Sequence, residues 1–292
     1  MSTSLSTRTG ILSDVGLVLV RAGAMGAASL LVYDYFCTLD QEIELIWSSP
    51  FGLASMIFFA NRYLPFIDSA LSVNINFNAT LSAEECLVQA RATAWLMFIG
   101  IALSEIILML RTYAIWGRQR SMLLFLIILT VVFIIPGIIF TELALNSLQF
   151  VVFEGCRLST ANDIIYLAFC LLTAYESILA ALITIQAYKH LRQTRSPWVT
   201  KLYKDGIIFY FSLLVLSCAN IISALITPEL GPWLEGPQRV VHSALCNRVL
   251  FLIFQGNSAT MPRVHPRDAE TTTEGRGLPM ATLTEITDMV DM

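Results

Sequence analysis

The stretch MLLFLIILTVVFIIPGIIFTEL, residues 122–143, carries no charge until Glu142, next to its last residue. As a helix, these 22 residues rise about 33 Å, enough to cross the roughly 30 Å hydrocarbon core of a bilayer. A helix that is apolar all round belongs to the centre of a large core or to a membrane. Composition decides between the two. The chain has 292 residues, 56% of them hydrophobic and 14% charged, with a mean hydropathy of +0.68. A soluble domain has about 45–50% apolar and about 25% charged residues.

Six more apolar segments surround this one, and the expected spans are 15–37, 51–73, 87–110, 122–143, 164–188, 206–227 and 240–254. The fold class that follows is all-α: a single polytopic membrane domain of seven transmembrane helices over 15–254. A polar tail, 1–14, precedes it. A segment rich in Thr, Pro, Gly and acids, 255–292, follows it and is expected to be a disordered cytosolic tail. The formal net charge of −4 argues against nucleic acid. The partner that composition implies is the lipid bilayer, of the plasma membrane or another membrane of the secretory pathway.

Orientation follows from the basic residues of the short loops. The loop after the third span carries Arg111, Arg118 and Arg120. The loop after the fifth carries Lys189, Arg192, Arg195, Lys201 and Lys204. Together they hold eight of the 18 bases, whereas residues 74–86 and 228–237 hold none. The basic loops are therefore expected in the cytosol, which places the N-terminus outside and the C-terminus inside. Asn78 heads an Asn-Ala-Thr glycosylation acceptor in an outer loop. Cys86 and Cys156 both fall on the outer side, where disulfides persist, and are expected to pair. Such a bridge, from the top of helix three to the second outer loop, typifies G-protein-coupled receptors. The other four cysteines read as small core residues.

The stretch YDYFCTLDQEIELIW, residues 33–47, has four carboxylates and no base. The orientation puts it in the cytosol, because acids contribute little to charge sorting. Asp40, Glu42 and Glu44 are expected to form an acidic layer docked to the basic loops. This stretch, followed by NRYLPFID, resembles the uncharacterised domain (domain of unknown function 6533) of many basidiomycete membrane proteins, here over 28–72. SEIILMLRTYAIWGR, SPWVTKLYKDGIIFY and QRVVHSALCNRVLF resemble the same proteins. The resemblance implies a fungal seven-helix membrane protein, receptor-like in topology, and supplies no substrate.

Ionisable groups within spans are costly and default to functional candidates. Glu105 and Glu176 sit mid-span, and Arg62 and His242 are their candidate partners. Val240–Phe254 contains no Lys for a retinal Schiff base. Seven-helix zinc hydrolases use several ligands, mostly His, and only His242 lies in a span. No metal, no cofactor and no enzyme activity are therefore expected. The reading that remains is a receptor-like sensor with an unknown small ligand and a cytosolic signalling partner at the basic loops. The alternatives are a small-solute transporter or channel built on Glu105 and Glu176, then a membrane-embedded lipid-modifying enzyme.

Overall fold

A computed structural model describes the backbone of residues 3–48, 51–152, 156–160, 164–193, 197–226 and 234–260. Side chains are described for 16–48, 51–148, 156, 164, 166–189, 207–223, 225 and 234–254. The helices are α1 (Thr3–Glu42), α2 (Leu53–Phe77), α3 (Ala83–Ile115), α4 (Arg120–Asn146), α5 (Ile165–Gln193), α6 (Pro197–Ile226) and α7 (Glu235–Thr260). A π-helical turn, Ile43–Trp47, continues α1. Two short strands, β1 (Gln149–Val152) and β2 (Cys156–Thr160), pair antiparallel between α4 and α5. That hairpin is not part of the sequence expectation. Helix α1 begins inside the segment set apart as a polar tail, and α7 runs six residues past the expected end at Phe254.

Consecutive helices are neighbours and α7 returns to α1, which closes a ring; α3 also packs against α5 and α7. Among the described residues, four helices are long and apolar enough to cross a membrane, carried by α1, α3, α4 and α5. The protein is thus membrane-embedded. Helix α4 shows the reason for its composition: Leu124, Ile128, Val131 and Ile135 are exposed, while Met122, Leu126, Thr130, Gly137 and Thr141 are buried. One narrow face, rich in small residues, meets protein, while large apolar side chains stay exposed on the other faces, the pattern of a helix packed in lipid. Helices α2 and α7 instead bury ionisable side chains, Arg62 and Asp68 in the first and Arg239 and His242 in the second.

Helix α3 starts with a capping box: Glu85 N–H donates to Ser82 Oγ at 3.3 Å, and Ser82 N–H donates to Glu85 Oε2 at 2.8 Å. Each bond satisfies a donor that the first turn leaves open. One turn on, Cys86 is bridged to Cys156 with Cα atoms 5.7 Å apart, within the range that needs no backbone movement. The bridge ties α3 to the hairpin. Asn78, in the connection to α3, accepts from Thr80 N–H at 3.0 Å and Thr80 Oγ at 2.7 Å.

Candidate functional site

Two carboxylates of the acidic stretch, Asp34 and Glu42, fold inward. Along α1, Asp34, Thr38 and Glu42 recur every four residues and so share one face; all three are buried. Glu42 meets Arg62 of α2 at 2.5 Å, with the two side chains 0% and 2% exposed. Tyr63 Oη and Trp47 Nε1 also donate to Glu42, at 2.8 and 3.2 Å. Arg62 donates to Thr38 Oγ1 at 2.8 Å and to the Tyr35 carbonyl at 3.1 Å, and lies over the Tyr35 ring at 4.9 Å. Asp34 pairs with Arg248 of α7 at 3.0 Å. The expected acidic layer is therefore corrected for Glu42: a buried carboxylate takes the nearest cation that shares its burial. Asp40 and Glu44 are exposed.

A polar lock joins α2, α3 and α7. Pro65 has no N–H to give the Asn61 carbonyl four residues back. Ser243 Oγ takes that carbonyl instead, at 2.6 Å. The Asn61 side chain donates to the Ser243 carbonyl at 3.1 Å and to Asn247 Oδ1 at 2.9 Å, and accepts from Ser104 Oγ at 2.7 Å. Nearby, Arg239 pairs with Asp68 at 3.2 Å. Gly100 makes room for it: a Cβ there would overlap the Arg239 guanidinium.

At mid-bundle, three candidates converge from three helices. His242 of α7 lies with Nδ1 3.6 Å from Glu105 Oε1 of α3 and Nε2 3.0 Å from Glu176 Oε1 of α5. The imidazole is 0% exposed, and the carboxylates are 6% and 2% exposed. Neither the carboxylate oxygens nor the ring nitrogens has a hydrogen-bond partner of good geometry among the described residues. Each residue offers one ligand atom within 4.8 Å of the other two. Counting histidines alone led to the expectation of no metal; the fold adds two carboxylates to the one intramembrane imidazole. Arg62, the other candidate partner, is engaged by Glu42 instead.

A cavity of about 150 Å³ lies against this cluster, between α3, α4, α5 and the start of α7. Its walls are apolar, with Met97, Ile101, Phe133 and Leu172 among them, and Glu105, Thr130, Tyr175 and Gln238 supply polar groups. Tyr175 Oη and Thr130 Oγ1 are 2.9 Å apart. Ala94, Thr141 and Glu235 line it toward the end of the bundle that holds the disulfide. Glu176 and His242 do not line it; Glu105 faces both.

Of the basic residues, Arg111 is buried, Arg118 half-buried, and Arg120 and Lys189 exposed. Lys189 Nζ stands 5.6 Å from the centre of the Trp116 ring. Arg111 thus belongs to the packed end of α3 rather than to a solvated loop. Arg192, Arg195, Lys201 and Lys204 lie outside the described side chains, as does the tail beyond Thr260. Cys37 and Cys218 are exposed rather than in the core. Sequence reasoning missed Asn61, Ser104, Ser243, Asn247 and the Thr130–Tyr175 pair. A signal existed: Gln238, Arg239, His242, Ser243, Cys246 and Asn247 recur at helical spacing, which marks a polar face.

Residues 23–67 match a family of unknown function (DUF6533). No curated protein matches the chain. The matched segment holds Asp34, Thr38, Glu42, Asn61 and Arg62, and ends short of Glu105, Glu176 and His242.

Proposed function

We propose that this protein is a receptor-like sensor whose ligand, small and largely apolar with one polar end, occupies the cavity between α3, α4, α5 and α7. The observation that carries the reading is the cavity itself: apolar walls and a Glu105 carboxylate without a hydrogen-bond donor among the described residues. Ligand sites are typically apolar clefts with a few convergent polar groups that set orientation. A ligand that contacts Glu105 acts on a cluster shared by α3, α5 and α7, and so biases how those helices pack. A sensor needs two states that ligand and partner both shift. In this reading the disulfide end faces outward, and the basic connections after α3 and α5 face the cytosol, where a signalling partner meets them.

The test uses the full chain. Thermal unfolding against a panel of small amphipathic molecules should reveal a stabilising binder. A binder present at 100 times its Kd adds about 2.7 kcal/mol. The shift should vanish in Glu105→Gln and in Ala102→Phe, which fills the cavity. Reconstitution into sealed liposomes decides against transport: saturable uptake of an ion or solute that disappears in Glu105→Gln would sink the sensor reading and promote the transporter.

A further inference from the structure

We propose that Glu105, Glu176 and His242 form a site for one divalent transition-metal ion, with Glu105 and Nδ1 of His242 as ligands and Glu176 orienting the imidazole through Nε2. This goes beyond the sensor reading and stands without it.

Three observations carry the inference. The first is distance. Two ligands of a tetrahedral ion with bonds of about 2.0–2.1 Å are separated by about 3.4 Å, and His242 Nδ1 lies 3.6 Å from Glu105 Oε1. The second is the other ring nitrogen. A metal-bound histidine almost always donates its remaining N–H to a carboxylate or carbonyl. Nε2 of His242 faces Glu176 at 3.0 Å, which is a hydrogen-bond distance for that role. The third is charge. Two carboxylates sit inside the bundle, and no Lys or Arg pairs with either among the described residues. A divalent ion beside a neutral imidazole brings the cluster to zero net charge, the arrangement that a low-dielectric interior favours. All six nitrogen and oxygen atoms of the three side chains are buried and lack a well-formed hydrogen bond, so the cluster is incomplete as an ordinary polar lock.

The donor set selects the ion. Imidazole with carboxylate suits Zn²⁺ and its transition-metal neighbours, whereas Ca²⁺ and Mg²⁺ take oxygen ligands. Glu105 also lines the cavity, from which water or a ligand group would complete the coordination.

The probe is Zn²⁺ itself, with Co²⁺ as the spectroscopic substitute. The full chain in detergent is stripped with chelator and titrated with each ion. Elemental analysis should find one Zn²⁺ per chain, and Co²⁺ should give visible d–d bands without thiolate charge transfer. His242→Gln and Glu105→Gln should lose the stoichiometric ion. Glu176→Gln should bind about 10–100-fold more weakly, the usual effect of removing an orienting carboxylate. A variant without His190 and His265 should keep the ion, which separates the site from adventitious histidine binding. Retention of the Cys86–Cys156 bridge and of a cooperative thermal transition in the metal-free variants certifies their fold. Two results overturn the proposal: a wild-type chain that takes up no stoichiometric metal, or a wild type and His242→Gln that bind it equally. The first would leave protons as the balancing charge. Neither result bears on whether the cavity binds a ligand, since no ligand is present.

Discussion

Removing Arg62 and Glu42 together should destabilise the bundle by clearly less than the sum of the two single removals. The two side chains are 2% and 0% exposed and meet at 2.5 Å. Arg62→Met strands the Glu42 carboxylate with two neutral donors, Tyr63 Oη and Trp47 Nε1. Breaking a buried pair from one side costs about 3–5 kcal/mol, because an uncompensated charge stays behind. Glu42→Gln should fall near the lower figure. Its side-chain oxygen still accepts from Tyr63 and Trp47, and Arg62 keeps Thr38, the Tyr35 carbonyl and the Tyr35 ring. The double variant carries neither charge, so it should recover at least about 2 kcal/mol relative to the sum of the single losses, within the range for residues in direct contact. Reversible denaturant unfolding in mixed micelles, followed by tryptophan fluorescence, measures all three, and Trp47 reports from the pair itself. Additivity to within about 0.5 kcal/mol would refute the reasoning and return Glu42 to the basic loops.

Three further perturbations test the packing. Cys86→Ser and Cys156→Ser should each cost about 4 kcal/mol in the chain-entropy account of a closed loop of 70 residues, and the double variant no more than either; peptide mapping without reductant checks the pairing. Gly100→Ala should cost about 1–3 kcal/mol by overpacking, since the added Cβ collides with the Arg239 guanidinium; an unchanged melting temperature would mean that Arg239 is free to move. Ser243→Ala should cost about 1–3 kcal/mol by leaving the buried Asn61 carbonyl without its donor, and less in a Pro65→Ala background, where residue 65 regains the N–H that reaches that carbonyl; equal losses in the two backgrounds would disconnect Ser243 from the proline.

The sequence by itself determined the class of the protein. Apolar length requires membrane-embedded helices, because lipid offers backbone groups no partners and a helix satisfies its own. Seven helical segments could be counted, four of which are long and apolar enough to cross a membrane among the described residues, and the two cysteines that join α3 to the hairpin could be named. Glu105, Glu176 and His242 also stood out as mid-span ionisable groups. Depth, however, says nothing of which way a residue points. In 122–143 every face is apolar, so only packing showed that Thr130 and Gly137 meet protein while Ile128 and Val131 do not. The orientation expected from the basic loops puts the acids of 33–47 in the same compartment as eight bases, yet Glu42 took Arg62 because α1 turns its Asp34–Thr38–Glu42 face to α2 and α7. His242 had two carboxylates at its own depth and could have joined either, or neither. Tertiary structure placed it between both, because α7 packs against α3 with its polar face turned inward. Pairing among buried polar groups depends on helix rotation and order around the ring, and these are properties of the assembled bundle rather than of any one span.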